Sequence, residues 1–168
     1  MAGNETLGQA AVMRSAMREL GAKRAGRHVQ VPIDVLAQVP LFGGLTRRHL
    51  RKLSNVIDEV RYRDGRVIVQ KGRRGDAFFV LVEGAARVYA GVVPGGRAKA
   101  RLRPGDFFGE MALLDGEPRS ATVVAEGATT AFRLSRSAFA KTVSNEPAIA
   151  IRIMAVLAAR LRKGAANE

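Results

Sequence analysis

The 168-residue chain has no cysteine, no tryptophan and only two histidines, His28 and His49. Without cysteine there is no disulfide framework, no thiolate nucleophile and no cysteine zinc site, and thiol content says nothing about redox compartment. Two isolated histidines do not build a metal centre. No stretch approaches the roughly 20 consecutive apolar residues of a membrane-spanning helix. Residues 1–30 carry Arg14, Arg18, Lys23, Arg24 and Arg27 but lack the apolar centre of a signal peptide. What is present is a chain of one-domain length, 47% hydrophobic, which is enough to fill a core. The expectation is a soluble, globular, cytoplasmic domain with an arm of about thirty residues to spare.

Acidic side chains are scarce as well, 15 against 28 lysines and arginines, for a net charge of +13. Most of the excess falls in residues 47–103, which hold 15 cationic and 5 acidic side chains. A basic surface attracts polyanions whatever its fold. These cations, however, are spread along apparent strands and turns rather than gathered on one helix. A solvated basic face is the plainer account, and nucleic acid is disfavoured as a specific partner.

Helical spacing comes first along the chain. Leu7, Ala11, Met17 and Leu20 form a weak amphipathic stretch ended by Gly21 and Gly26. Ile33, Leu36, Ala37 and Val39 share a helical face that Pro40 stops, Leu41 to Leu45 reads as a turn, and Thr46 suits the N-cap of a helix ending near Asn55. From Val56 the pattern changes to short β-rich runs punctuated by glycine about every ten residues. They are 56–62, 66–71, 77–82, 85–93, 98–103, 121–125 and 129–134, separated by turn pairs such as Asp64-Gly65, Glu83-Gly84 and Glu126-Gly127. Seven or eight such strands predict a small antiparallel barrel or jelly roll. Ser135 then caps a helix through Phe139. Asn145 with Pro147 opens a longer one to Lys163, with an apolar stripe of Ile149, Ile153, Val156, Leu157 and Leu161 and a stop at Gly164.

One segment breaks the strand rhythm. Residues 104–124 read PGDFFGEMALLDGEPRSATVV, a glycine turn leading into a single helical turn, Glu110 to Leu114, inside the roll. A short helix after Gly109 offers unpaired backbone N–H groups to an anion. Arg119 on the return loop offers a planar fork to two phosphate oxygens, and Glu110 can accept hydrogen bonds from a sugar hydroxyl. Together these describe a ribose phosphate site. The same residues also allow a structural account, in which Glu110 compensates the helix dipole and Arg119 is its ion-pair partner or that of Asp115.

Phe108 to Leu114 (FGEMALL) and Pro118 to Val123 (PRSATV), with Gly75-Asp76-Ala77-Phe78-Phe79 through Gly84 upstream, resemble the phosphate-binding cassette and glycine marker of the cyclic nucleotide-binding domain family. The resemblance covers about residues 39–163. It implies an α+β domain at 32–163: an antiparallel β-roll flanked by N-terminal helices and a C-terminal lid helix, with the short phosphate-binding helix inside the roll. Residues 1–31 remain as a basic arm and 164–168 as a tail. By the same resemblance Glu110 accepts the ribose 2'-hydroxyl and Arg119 holds the exocyclic phosphate oxygen, while Gly109, Ala112 and Ser120 supply further donors. Phe108 packs, and Val88 and Leu102 line the base and sugar pocket. Arg160 corresponds to an arginine that stacks on the purine in bacterial cyclic-nucleotide-gated channels.

The implied ligand is cAMP or cGMP. Serine at position 120 stands where cAMP receptors of the family often carry alanine and cGMP-preferring ones threonine, and the reading leans to cAMP. No cofactor, metal or catalytic function is implied, and an unidentified protein effector is. The chain reads either as a stand-alone sensor or as one domain of a longer protein. The rival readings are a domain that kept the fold but serves only as a protein-interaction module, and an electrostatic binder of nucleic acid or anionic surfaces. A cupin enzyme is disfavoured because neither histidine falls in a predicted strand.

Overall fold

The computed structural model describes residues 31–92, 94, 96–111 and 115–165. The expected helix near residues 7–20, the candidate donor Ala112 and the end of the tail lie outside the described residues. Helix α1 (Ile33–Ala37), a 3-10 turn (Pro40–Phe42) and α2 (Arg47–Ser54) precede six strands. These are β1 (Ile57–Tyr62), β2 (Val67–Val69), β3 (Ala77–Tyr89), β4 (Ala100–Leu102), β5 (Phe107–Phe108) and β6 (Thr122–Ser135), followed by α3 (Arg136–Asn145) and α4 (Pro147–Ala165). The strands pair antiparallel in the order β1-β6-β3-β4, with β2 added to β6 and β5 to β3. This is the expected β-roll with helices at its ends.

The roll uses fewer and longer strands than the glycine punctuation suggests. Glu83-Gly84 and Glu126-Gly127 do not reverse the chain; they lie within β3 and β6, which run side by side from Ala77↔Ser135 to Tyr89↔Thr122. Register shifts between Leu81 and Glu83 and between Glu83 and Ala85 mark the bend. Gly84 sits there at φ +81°, and a Cβ on it would strike the Ala128 carbonyl of the neighbouring strand. Glycine lets the two strands bend together without breaking their ladder.

Strand β3 divides the interior in two. Phe78, Val80 and Val82 face a core shared with Leu36, Phe42, Leu53, Phe132, Ile149 and Ile153, whereas Phe79 and Leu81 face the inside of the roll with Ala86, Leu102, Phe108 and Val123. Burial on both faces explains why AFFVLV reads as an unbroken apolar run rather than an alternating one. Val31 is also buried, and its carbonyl accepts the Ser54 hydroxyl, so the packed body starts at the first described residue.

Both expected caps are present: Thr46 accepts from His49 N and Ser135 from Ala138 N. Helix α3 extends past Phe139, so Asn145 closes it instead of opening α4, and Pro147 is the first residue of α4. Gly164 does not stop α4, which continues to Ala165. Its buried stripe is Ile149, Ile153 and Leu157; Leu161 is 63% exposed, because residues 158–163 all lie at the surface. Between the two helices, Glu146 gathers Arg48 at 3.3 Å, His49 at 3.5 Å and Lys52 from α2. The Lys52 hydrogen bond leads the causes that hold its carboxyl below the usual glutamate range.

Candidate functional site

Arg119 is 8% exposed, among the most buried polar side chains described. It follows Pro118, which forms an isolated antiparallel bridge with Arg74. Its backbone is pinned to the β2–β3 loop by Arg119 N donating to Arg73 O at 2.9 Å and Gly72 N donating to Arg119 O at 2.8 Å. The side chain reaches into the roll, where Nη1 donates to Gly109 O at 2.9 Å and Nη2 to Ala77 O. Among the described residues no carboxylate comes within ion-pair distance of it, so the structural partnership with Glu110 or Asp115 is not what holds it. Two neutral carbonyls do. Burial pushes the guanidinium below the usual arginine range, and the more distant charges of Asp76 and Glu110 pull it back. A buried cation held by neutral carbonyls, with no carboxylate in contact among the described residues, has the chemistry to pair with an anion.

Gly109 is required at the place it occupies. Its φ is +82°, and a Cβ would run into the Arg119 guanidinium. Glu110 and Met111 begin the expected helical turn, and Asp115 N donates to Met111 O at 3.0 Å. Glu110 Oε1 lies 3.2 Å from Arg160 Nη1 of α4. The same guanidinium donates to Phe107 O at 2.8 Å and stands 4.5 Å from the centroid of the Phe107 ring. Arg160 therefore spans from the last helix to the cassette, a contact between residues fifty positions apart.

These groups surround a cavity of about 410 Å³. Every described candidate borders it: Val88, Leu102, Gly109, Glu110, Arg119, Ser120 and Arg160. Leu102 is buried on β4 and pairs with Ala86, while Val88 is partly buried opposite Ala100. Ser120 is exposed at the rim. Phe108, expected only to pack, does so, stacked on Phe79 with centroids 5.2 Å apart, and it also forms part of the wall. Val69 and Val123 complete the apolar side and were missed. Their signal was the β2–β6 pairing, which sets Val69 opposite Val123 but depends on a bulge no local pattern announces. One end of the cavity is thus charged and hydrogen-bonding and the other apolar, which matches a ligand with an anionic head and a flat hydrophobic body.

The model of the cyclic nucleotide-binding domain matches residues 59–146, just over half of the chain. The chain belongs to the cyclic nucleotide-binding domain family. Among curated relatives it is similar to a cAMP-dependent protein kinase regulatory subunit of Mycosarcoma maydis, 37% identical over 72% of this chain and 22% of that protein. It is also similar to the cGMP-dependent protein kinase egl-4 of Caenorhabditis briggsae, 36% identical over 71% of this chain and 16% of that one. The chain thus spans less than a quarter of either relative. Among solved structures, the catabolite activator protein of Thermus thermophilus superposes with a TM-score of 0.67 and 34% identity, covering 76% of this chain and 61% of that one. As a cyclic nucleotide-binding domain it lines the cavity with its cassette, and its glycine marker supports the cassette from behind, through the Ala77 carbonyl that holds Arg119 and Phe79 stacked on Phe108. Among the described residues no cluster of metal-ligating side chains occurs and no single helix is long and apolar enough to cross a membrane.

Proposed function

We propose that this domain is a cAMP-responsive regulatory module, occupying residues 32–163, that senses the nucleotide rather than transforming it. The observation that carries the reading is the buried Arg119 guanidinium, held by Gly109 and Ala77 carbonyls at the polar end of an otherwise apolar cavity. Arg119 takes the cyclic phosphate as its missing anion, and Glu110 accepts the ribose hydroxyl with the oxygen that Arg160 leaves free. The backbone around Gly109 and Ala112 and the Ser120 hydroxyl complete the phosphate shell. Val88 and Leu102 contact the apolar faces of sugar and base. Arg160 ties α4 to the cassette, so filling the cavity and moving the lid helix draw on the same contacts. Only contacts that differ between filled and empty arrangements can drive a partner.

The preference for cAMP is supported by the similarity to kinase regulatory subunits named for that nucleotide. The cGMP-dependent relatives keep the second purine as the competitor to test. An unidentified protein effector and a cytoplasmic setting complete the proposal.

The test is calorimetric titration of cAMP and cGMP into protein stripped of nucleotide by unfolding and refolding, alongside Arg119→Leu. Loss of one partner from a desolvated charge pair costs about 2–5 kcal/mol, so the variant is expected to bind roughly 30- to several-thousand-fold more weakly while remaining folded. Absence of heat from the folded parent protein with either nucleotide would sink the assignment.

A further inference from the structure

A strong charge asymmetry falls on two stretches of the roll. Residues 63–74 and 85–103 hold ten lysines and arginines against one acidic residue, Asp64. The topology folds these two stretches together. Gln70 Nε2 donates to Val92 O at 3.2 Å, Lys71 Nζ donates to Ala90 O at 2.8 Å, and the Thr122 hydroxyl binds Gly91 O at 2.6 Å. The β2–β3 loop and the β3–β4 hairpin therefore form one continuous end of the roll. Arg87 and Arg101 share Glu126. Among the described residues Lys71, Arg73, Arg74, Arg97 and Lys99 have no carboxylate within ion-pair distance, and all five are exposed. On the same end Val92, whose carbonyl Gln70 holds, is 52% exposed although β-branched and apolar.

We propose that this end of the roll docks on a lipid bilayer bearing acidic headgroups, with Val92 entering the interface and the surrounding cations meeting the lipid phosphates. The composition favours a bilayer over nucleic acid. Arginine and lysine can read guanine, but reading the other bases or gripping a single strand takes amides, carboxylates, hydroxyls or stacked aromatics. These two stretches contain one amide, Gln70, already bound to Val92 O and Arg73, and one aromatic, Tyr89. Cations around a small apolar tip suit a charged interface, where each basic residue near the surface strengthens binding about fivefold. The inference does not depend on the nucleotide reading.

The full chain is sedimented with phosphatidylcholine vesicles with and without phosphatidylserine, at low and raised salt. Binding is expected only with phosphatidylserine and is expected to fall as salt rises. Arg97→Ala with Lys99→Ala weakens it roughly 20-fold, Arg73→Gln with Arg74→Gln acts similarly, and Val92→Ser weakens it independently of salt. Arg51→Ala with Lys141→Ala, exposed cations on α2 and α3, leaves it within about twofold. Melting curves confirm that each variant is folded. The proposal is overturned by equal sedimentation with both vesicle types, by no binding at low salt, or by loop variants that behave like the α2/α3 control. Tighter binding to a labelled single- or double-stranded oligonucleotide than to the acidic vesicles also overturns it.

Discussion

The two cores that β3 separates are built to different ends. On the helix side, Leu36, Phe42, Leu53, Phe132, Leu134 and Ile149 are all buried to within 1% exposure, and Phe42 meets Phe78 edge-on at 6.5 Å. On the roll side, alanines at 77, 86 and 131 take the place of large side chains, and a cavity remains. One side spends its apolar surface on close packing, which stabilises the fold. The other gives up part of that packing and keeps room, with a buried arginine at its end, for something to fill it. A single strand supplies both because alternate side chains point to opposite faces.

The largest effect expected from breaking this contrast is on ligand affinity alone. Arg119→Leu removes the cation of the hollow side, so nucleotide affinity collapses by the factors given above, while the urea midpoint shifts far less than for a helix-side truncation. Next comes stability: Phe132→Ala opens a void in the packed side and is expected to cost about 3–5 kcal/mol by urea unfolding. Leu102→Ala, bordering space already open, falls toward the low end of the range for leucine truncations, about 2 kcal/mol. If the two truncations cost the same, the distinction between packed and hollow sides fails.

Gly109→Ala probes the boundary between the two functions. Alanine at φ +82° is strained by about 1–2 kcal/mol, and its methyl displaces the Arg119 guanidinium. Nucleotide affinity should therefore drop by more than the loss of stability accounts for, measured by titration and melting on the same preparation.

The smallest effect is on acid stability. Glu126, between Arg87 and Arg101, titrates near 2, chiefly because both guanidinium groups hydrogen-bond its charged form. Its folded pKa is depressed, so its contribution is present above the ordinary carboxylate range and is lost as pH falls through about 4.5 toward 2. Glu146, also depressed, adds a loss of the same sign. Glu126→Gln should flatten the dependence of melting temperature on pH in that window and leave it unchanged near neutrality. An unchanged slope would show that these surface pairs contribute nothing measurable.

Much of this was legible along the chain because it is local. Thr46 and Ser135 as caps, the stop before Pro40 and the Gly109–Glu110 turn rest on backbone preferences of a few neighbouring residues. Other features were not. Glu83-Gly84 looks the same whether it turns the chain back or bends a strand, and only β6 lying alongside decides for the bend. The stripe through Leu161 continues at helical spacing, but nothing in its period says where the body beneath α4 ends.

By itself the sequence determined the kinds of element, the order in which they occur and the side chains whose chemistry suits a sugar phosphate, since these follow from dihedral preferences, apolar periodicity and side-chain chemistry. Tertiary structure alone decided that Arg119 would be buried against two carbonyls without a carboxylate in contact, and that Arg160 would reach Glu110 from fifty residues away. It also decided that Val69 and Val123 would close the cavity's apolar side. Those facts depend on which distant surfaces meet and how much water is left between them, and that is set by the packing of the whole roll rather than by any stretch of chain.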